Sequence, residues 1–107
     1  MAAFLGQTQR IAASEVRRII WSEPARNDLQ SIRAYIGQFN PSAAQRMGER
    51  LLAAAESLGD YAERGRPIAK NRRELTIIWP YLILYRIAGD DVFVLRVRHG
   101  AQRRDQI

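Results

Sequence analysis

The sequence predicts a two-layer α+β domain with the element order β-α-α-β-β-β, in which a helical hairpin packs on a small twisted antiparallel sheet. Three observations lead to this prediction. Two segments with apolar residues at helical spacing follow one another, separated by Asn40-Pro41. Three strand-like segments come next, joined by turns too short for a crossover connection. The length of 107 residues is that of one domain.

A strand and a capped helix open the predicted domain. Residues 16–21 (VRRIIW) combine β-branched and aromatic side chains, which favour a strand. Ser22 stands where a helix N-cap is expected, and Pro24 fits the first turn after it. The apolar residues that follow recur at intervals of three or four, the period of an amphipathic helix: Ala25, Leu29, Ile32, Ile36 and Phe39. Residues 1–15 show no sustained period and are interpreted as an N-terminal extension: a disordered leader, a short added helix, or upstream sequence from a misassigned start codon. The predicted domain therefore spans residues 16–107.

The second helix begins at the clearest boundary in the chain. Asn40 suits the N-cap position, and Pro41 suits the first helical position because its missing N–H would have no helical partner there. One face of this helix is apolar and rich in alanine: Ala44, Met47, Leu51, Ala54, Ala55 and Leu58. Two helices joined by so short a connection must be antiparallel, so they form a helical hairpin. Asp28 and Glu56 are interpreted as ordinary surface charges of this hairpin.

The C-terminal part of the domain is predicted to be a loop followed by three strands. Residues 59–73 form the loop, because glycine and proline interrupt them. The strands cover residues 74–79, 81–87 and 91–98, with a tight hairpin at Gly89-Asp90. Alternation along the last strand predicts two opposite faces. They are Phe93, Leu95, Val97 and His99 on one side, and Val92, Val94, Arg96 and Arg98 on the other.

The positive charge of the chain is concentrated in its C-terminal part. The sequence holds 17 basic and 11 acidic residues, a net charge of +6. Residues 1–63 balance seven arginines against seven acids, whereas residues 64–107 hold ten basic and four acidic residues. All the basic residues except Lys70 are arginines, whose planar guanidinium binds carboxylates and phosphates through two hydrogen bonds. This asymmetry predicts an acidic partner: nucleic acid, an acidic protein segment or anionic lipid.

Composition excludes several classes of function. Without cysteine the chain has no disulfide, thiol nucleophile or iron–sulfur cluster, and its one histidine disfavours a zinc site. We therefore expect no cofactor and no metal. The longest apolar stretch, around residues 75–84, is too short and too interrupted to span a bilayer, and the N-terminus lacks the pattern of a signal peptide. These features predict a cytoplasmic protein with no membrane partner.

Two basic clusters are candidates for the surface that binds this partner. In the last strand, Arg96 and Arg98 share a face about 7 Å apart, a spacing that suits successive phosphates or a row of carboxylates. A second run of arginines lies in the loop before the sheet, and with Arg86 the clusters could form one basic surface. The candidate partner-binding residues are Arg66, Arg72, Arg73, Arg86, Arg96, Arg98, His99, Arg103 and Arg104. Arginine and histidine could also support metal-independent RNA cleavage, by stabilising a phosphorane and acting as a general base.

Six short motifs follow one another in a characteristic order between about residue 18 and residue 103. They are residues 25–36 (ARNDLQSIRAYI), Asn40-Pro41 followed by Ala43-Ala44-Gln45-Arg46, Gly65-Arg66-Pro67, Arg73-Glu74-Leu75, residues 81–87 (YLILYRI) and residues 94–102 (VLRVRHGAQ). Each motif alone is degenerate, but their order and spacing together are specific. In this order the chain resembles the RelE/ParE superfamily of bacterial toxin–antitoxin toxins, and within it the ParE-like branch.

The resemblance implies the toxin of a type II toxin–antitoxin (plasmid stabilisation) system. It implies a cognate, ParD-like antitoxin whose acidic and apolar tail folds along the toxin in a hetero-oligomer. ParE-like members act on DNA gyrase, whereas RelE-like members cut mRNA on the ribosome. The ending His99-Gly100-Ala101, with no tyrosine after Tyr85, resembles ParE, so we expect a gyrase inhibitor that is not an enzyme.

Two other functions stay open at the level of sequence. One is a RelE-like, ribosome-dependent endoribonuclease without a metal, in which the catalytic residues would be Arg86, His99 and Arg103. The other is a plain nucleic-acid-binding domain, whose affinity would fall steeply with salt.

Overall fold

The computed structural model describes residues 16–100, with the backbone alone for residues 77 and 78. The predicted extension over residues 1–15, as well as Arg103 and Arg104, lies outside the described residues. The described chain contains two helices, five strands and a 3-10 turn over Ser57–Gly59. Their bounds are β1 Arg18–Trp21, α1 Glu23–Gly37, α2 Pro41–Glu56, β2 Arg66–Ala69, β3 Arg72–Ile78, β4 Tyr81–Ala88 and β5 Asp91–His99.

Both predicted helix caps are confirmed. The Ser22 hydroxyl accepts a hydrogen bond from the Ala25 N–H at 3.1 Å, and the Asn40 side-chain oxygen accepts one from the Ala43 N–H at 3.0 Å. Each helix also has a proline in its first turn. Side-chain caps satisfy backbone donors that a helix leaves without internal partners, so these residues fix where α1 and α2 begin.

The five strands form one sheet in the order β1-β5-β4-β3-β2. Neighbours from β2 to β5 are antiparallel, as predicted, but β1 runs parallel to β5, with Arg18 opposite Asp91 and Trp21 opposite Val94. The predicted antiparallel meander is confirmed, and the parallel pairing of β1 makes the sheet as a whole mixed. A parallel pair requires a long connection, which here is everything between β1 and β5.

The predicted loop over residues 59–73 contains a strand that the sequence did not reveal. β2 pairs with β3 in an antiparallel hairpin, and the turn between them places Asn71 at a φ of 63°. All four residues of β2 are exposed, so β2 carries no alternation of polar and apolar residues. The hairpin predicted at Gly89-Asp90 is confirmed, and Gly89 has the positive φ of 60° that such turns require.

A β-bulge in β5 overturns the predicted faces of the last strand. Leu84 of β4 is opposite Arg96 but the next residue, Tyr85, is opposite Val94, so Leu95 is an extra residue. The bulge reverses the alternation beyond it. Val97 consequently joins Val92 and Val94 in the core, where all three are buried.

The core lies between the helical hairpin and one face of the sheet, as expected for a two-layer α+β domain. Its largest fully buried side chains are Tyr85, Leu51, Leu58, Ile83, Val92 and Val94. Within residues 16–100, neither helix has the length and apolar character needed to cross a bilayer.

Candidate partner-binding surface

The face of the sheet opposite the helices is built from rows of directly paired residues. Paired residues of neighbouring strands lie on the same face. Because Tyr85 and Val94 point into the core, the adjacent pair of Arg86 and Phe93 points away from the helices, and Ile20 extends this row onto β1. Three further rows lie on this side of the sheet. One of them contains the ion pair of Arg18 with Asp91 beside the β4–β5 turn, and another ends in Arg96, whose side chain turns to the sheet edge. We call the rest of this side the open face, and its residues are Ile20, Arg66, Glu74, Leu82, Leu84, Arg86, Phe93 and Arg98.

The open face combines apolar side chains with arginines. The guanidinium carbon of Arg86 lies 4.8 Å from the centre of the Phe93 ring, a cation–π contact that holds the charge above an apolar surface. Glu74 is 4% exposed and accepts a hydrogen bond at 3.1 Å from Arg66, whose side chain is 62% exposed. The one acid of the face is thus buried and paired, and the charge presented to solvent is positive.

Arg96 is engaged at the edge of the sheet. Its guanidinium donates to both carboxylate oxygens of Asp28 on α1, at 2.7 and 3.0 Å, and this hydrogen bonding raises the pKa of Arg96. Asp28 also accepts the backbone N–H of Val97 at 2.9 Å. β1 pairs with β5 only as far as Val94. Beyond that point the Asp28 carboxylate accepts the backbone N–H that a neighbouring strand would otherwise accept. The interpretation of Asp28 as an ordinary surface charge is wrong, and α1 bonds to the sheet edge through it.

The arginines of β3 differ in their surroundings. Arg72 is exposed beside the turn between β2 and β3. Arg73 donates to the backbone carbonyls of Glu63 and Gly65, at 3.2 and 2.7 Å, which fixes the loop before β2. The buried Tyr85 hydroxyl binds the same loop, donating to the Ala62 carbonyl at 2.6 Å and accepting from the Gly65 N–H at 2.9 Å.

His99 lies on the helix side of the sheet, away from the open face. It is paired with Tyr81, and the two rings meet edge to face with centres 5.5 Å apart. Both line a cleft of about 340 Å³ against α1, together with Asp28, Ser31 and Tyr35. Burial, and secondarily the neighbouring Tyr35, raises the pKa of Tyr81.

The structure does not bring the proposed ribonuclease residues Arg86 and His99 together. Arg86 is paired with Phe93 on the open face, whereas His99 is paired with Tyr81 on the helix side. Tyr81 and Arg86 are also five residues apart along β4, a distance of roughly 17 Å at the rise of a strand. The third candidate of that set, Arg103, lies outside the described residues.

The sequence candidates therefore separate into groups with different surroundings. Arg66, Arg86 and Arg98 lie on the open face, and Arg72 lies beside its β2 edge. Arg73 and Arg96 make internal bonds. The open face also contains the apolar residues Ile20, Leu84 and Phe93, which the distribution of charge in the sequence does not indicate. Alternation along a strand places each of them on one of two faces, but it does not say which face is left uncovered by the helices.

Comparison with known proteins places this geometry in context. A family model described as the ParE toxin of the type II toxin–antitoxin system parDE matches residues 19–104. Toxin RelE2 of Caulobacter vibrioides is 48% identical over 85 residues, covering 79% of this chain and 97% of that protein.

Two solved structures share the fold. A structure of the chromosomal ParDE toxin–antitoxin system of P. aeruginosa has a TM-score of 0.73 at 24% identity, over 80% of this chain and 98% of that one. The RelBE2 toxin–antitoxin complex of Mycobacterium tuberculosis gives a TM-score of 0.60 at 23% identity, over 78% of this chain and 98% of that one.

Proposed function

Because the chain belongs to the ParE toxin family of type II toxin–antitoxin systems, we propose that it inhibits DNA gyrase without being an enzyme. We also propose that an acidic antitoxin neutralises it by binding the open face.

The observation that carries the antitoxin proposal is the chemistry of the open face. Ile20, Leu84 and Phe93 offer apolar surface between strands, and arginines surround it. Its one acid, Glu74, is neutralised by Arg66. A partner segment that combines apolar residues with carboxylates would cover the apolar surface and pair with the arginines. Complementary charge of this kind steers and orients the partners of a protein complex.

The separation of Arg86 from His99 supports a toxin that acts by binding. Cleavage of RNA without a metal requires a general base at the 2′-hydroxyl and a cation at the same phosphate. These two side chains lie on opposite faces of the sheet, so they cannot serve one phosphate together.

The target is tested by adding the purified full chain to gyrase and to a translation reaction in parallel. We expect supercoiling to be inhibited, or cleaved DNA to accumulate, while the message stays intact. The control is the same toxin incubated first with its antitoxin, which should restore supercoiling. Normal supercoiling at saturating toxin would refute the gyrase target, and cuts at codon positions in translated mRNA would indicate the ribonuclease instead.

Reversing one charge on the open face should weaken the antitoxin complex. We expect Arg86→Glu to raise the dissociation constant about tenfold, because it removes an attraction and adds a repulsion to an acidic segment. Calorimetric titration of each toxin variant with the antitoxin measures the change.

The matched control is Arg50→Glu, an equal change of net charge at an exposed position of α2. It should leave the affinity within about twofold, because an exposed charge far from a contact has little effect. Equal weakening by both variants would mean that net charge alone drives the association, and the open face would then not be the antitoxin site.

A further inference from the structure

The hairpin of β2 and β3 lies at the edge of the sheet and is exposed along most of its length. β2 is the edge strand and pairs only with β3. Residues 66–72 are all exposed, including Lys70 and Asn71, which form the turn. Neither helix covers this part of the sheet, so it is accessible to a partner. We call residues 64–73 the basic arm.

The basic arm carries positive charge that is largely unpaired. It contains four arginines and one lysine but no acid. Within the described part of the chain, Arg66 is the one member of the arm with a carboxylate partner, Glu74. Lys70 and Arg72 form neither an ion pair nor a side-chain hydrogen bond there. The turn of the arm therefore presents positive charge to solvent, which attracts a negatively charged partner.

A pocket of about 240 Å³ lies beside the turn of the basic arm. Its lining consists of Ile87 of β4 and five residues of the arm: Pro67, Ala69, Asn71, Arg72 and Arg73. Two adjacent arginines and an asparagine thus line one concavity. The planar guanidinium group suits the oxygens of a phosphate, which accept two parallel hydrogen bonds from it. The pocket therefore has the chemistry of a site for a single phosphate group.

We infer that the basic arm binds the phosphate backbone of duplex DNA. A stable protein interface has a buried apolar centre, whereas the apolar side chains of the arm are limited to Pro67, Ile68 and Ala69. Protein–DNA interfaces are more polar and much more positively charged than protein–protein interfaces. The composition of the arm matches the interface with nucleic acid and not the interface with protein.

The shape and composition of the arm favour duplex DNA over RNA. A two-stranded β-ribbon fits the major groove of B-DNA, whereas the major groove of A-form RNA is too deep and narrow for side chains to enter. Single-stranded nucleic acid binds through bases stacked on aromatic rings, and the basic arm contains no aromatic residue. Because its cations contact phosphates, we expect binding that does not depend on the DNA sequence.

This inference deepens the proposed function, on which its biological role rests. Gyrase holds a DNA duplex while it cleaves it, so a gyrase inhibitor with its own contact to DNA would bind the enzyme–DNA complex more tightly than the enzyme alone. Lys70 and Arg72 lie outside the open face, which leaves that face for the antitoxin. Binding to free DNA requires no gyrase, so the two proposals are tested separately.

Fluorescence anisotropy of a labelled DNA duplex of mixed sequence, titrated with the full-length chain from cell-free translation, tests the inference. At low salt we expect a dissociation constant on the order of micromolar, which rises steeply with salt. The double variant Lys70→Ala/Arg72→Ala should bind about tenfold more weakly. It should also reduce the slope of log affinity against log salt concentration by about two, because two phosphate contacts are lost.

The matched control is Arg46→Ala/Arg50→Ala, which removes the same charge from exposed positions of α2. It should leave the affinity within about threefold and the salt slope unchanged. Circular dichroism checks that each variant is folded. Equal weakening by both double variants overturns the inference, since net charge alone would then explain the binding. So does binding that Arg86→Ala abolishes and the arm variant leaves intact, which would place the DNA on the open face.

Two further measurements fix the ligand and separate this inference from the gyrase target. Tighter binding to RNA of the same sequence, single- or double-stranded, would overturn the assignment to duplex DNA. Supercoiling is then measured with the same protein samples. A wild-type chain that inhibits gyrase but does not bind free duplex at low salt refutes the inference and leaves the proposed function standing. Binding through the arm with normal supercoiling supports the inference and refutes the gyrase target.

Discussion

Replacing Tyr85 by phenylalanine is expected to lower the free energy of unfolding by about 2–4 kcal/mol. The ring would stay in the core, but the hydroxyl would no longer accept from the Gly65 N–H or donate to the Ala62 carbonyl. Both backbone groups are buried, so each would be left without its partner away from water. Chemical denaturation of wild type and variant measures the difference.

The matched control is Tyr61→Phe in the same loop. Tyr61 is 66% exposed, so its loss of a hydroxyl should change stability by less than about 0.5 kcal/mol. Equal effects of the two changes would contradict the role assigned to the Tyr85 hydroxyl.

Alkaline pH gives a second measure of the same group. Burial raises the pKa of Tyr85 above the value of 10.0 that it has when unfolded. The unfolded chain therefore releases its proton first, and the free energy of unfolding falls as the pH rises above about 10. This fall should be smaller in Tyr85→Phe, in which the raised pKa of Tyr81 remains as one contribution.

Replacing Asp28 by alanine is expected to cost about 2–3 kcal/mol of stability. Most of this cost comes from the Val97 N–H, which would lose its acceptor at the sheet edge. The ion pair contributes less, because the Arg96 side chain is 40% exposed and its charge can be solvated. Thermal and chemical unfolding should agree on the size of the loss.

Two comparison variants separate these contributions. Asp28→Asn keeps an oxygen for the Val97 N–H but removes the charge, so it should recover about half of the lost stability. Glu56→Ala removes a negative charge from an exposed position of α2 and should have little effect. If Asp28→Asn were as damaging as Asp28→Ala, the ion pair with Arg96 would be the dominant interaction.

The sequence was sufficient for the elements whose signals are local. Ser22 and Asn40 act within three residues of themselves, and the period of three or four residues identifies both apolar helix faces. Gly89 is required by a turn of two residues. For these features a short window of sequence contains the groups that define the cap or the turn, so propensity and capping chemistry determine the result, even though the Ser22 hydroxyl also donates to the distant Leu95 carbonyl at 3.0 Å.

Features that depend on distant pairing could not be predicted in this way. The extra residue at Leu95 is defined only by what lies opposite it on β4, and it reverses the alternation assumed for the rest of β5. Asp28 was misjudged because its partners, Arg96 and Val97, are 68 and 69 residues away. The positive charge of the open face could be predicted from the sequence. The position of His99 on the opposite face of the sheet could not, because it results from the bulge at Leu95.

The pairing of β1 with β5 has a consequence for how the chain is synthesised. Arg18 is among the first described residues to leave the ribosome, yet its partner Asp91 is added 73 positions later. Until β5 is complete, β4 pairs only with β3 and its other edge has no partner strand, because β5 lies between β1 and β4 in the sheet. A message truncated or frameshifted before the codons of β5 therefore encodes helices without the strand that joins them to the sheet. Folding of the sheet must therefore wait until the codons of β5 have been read.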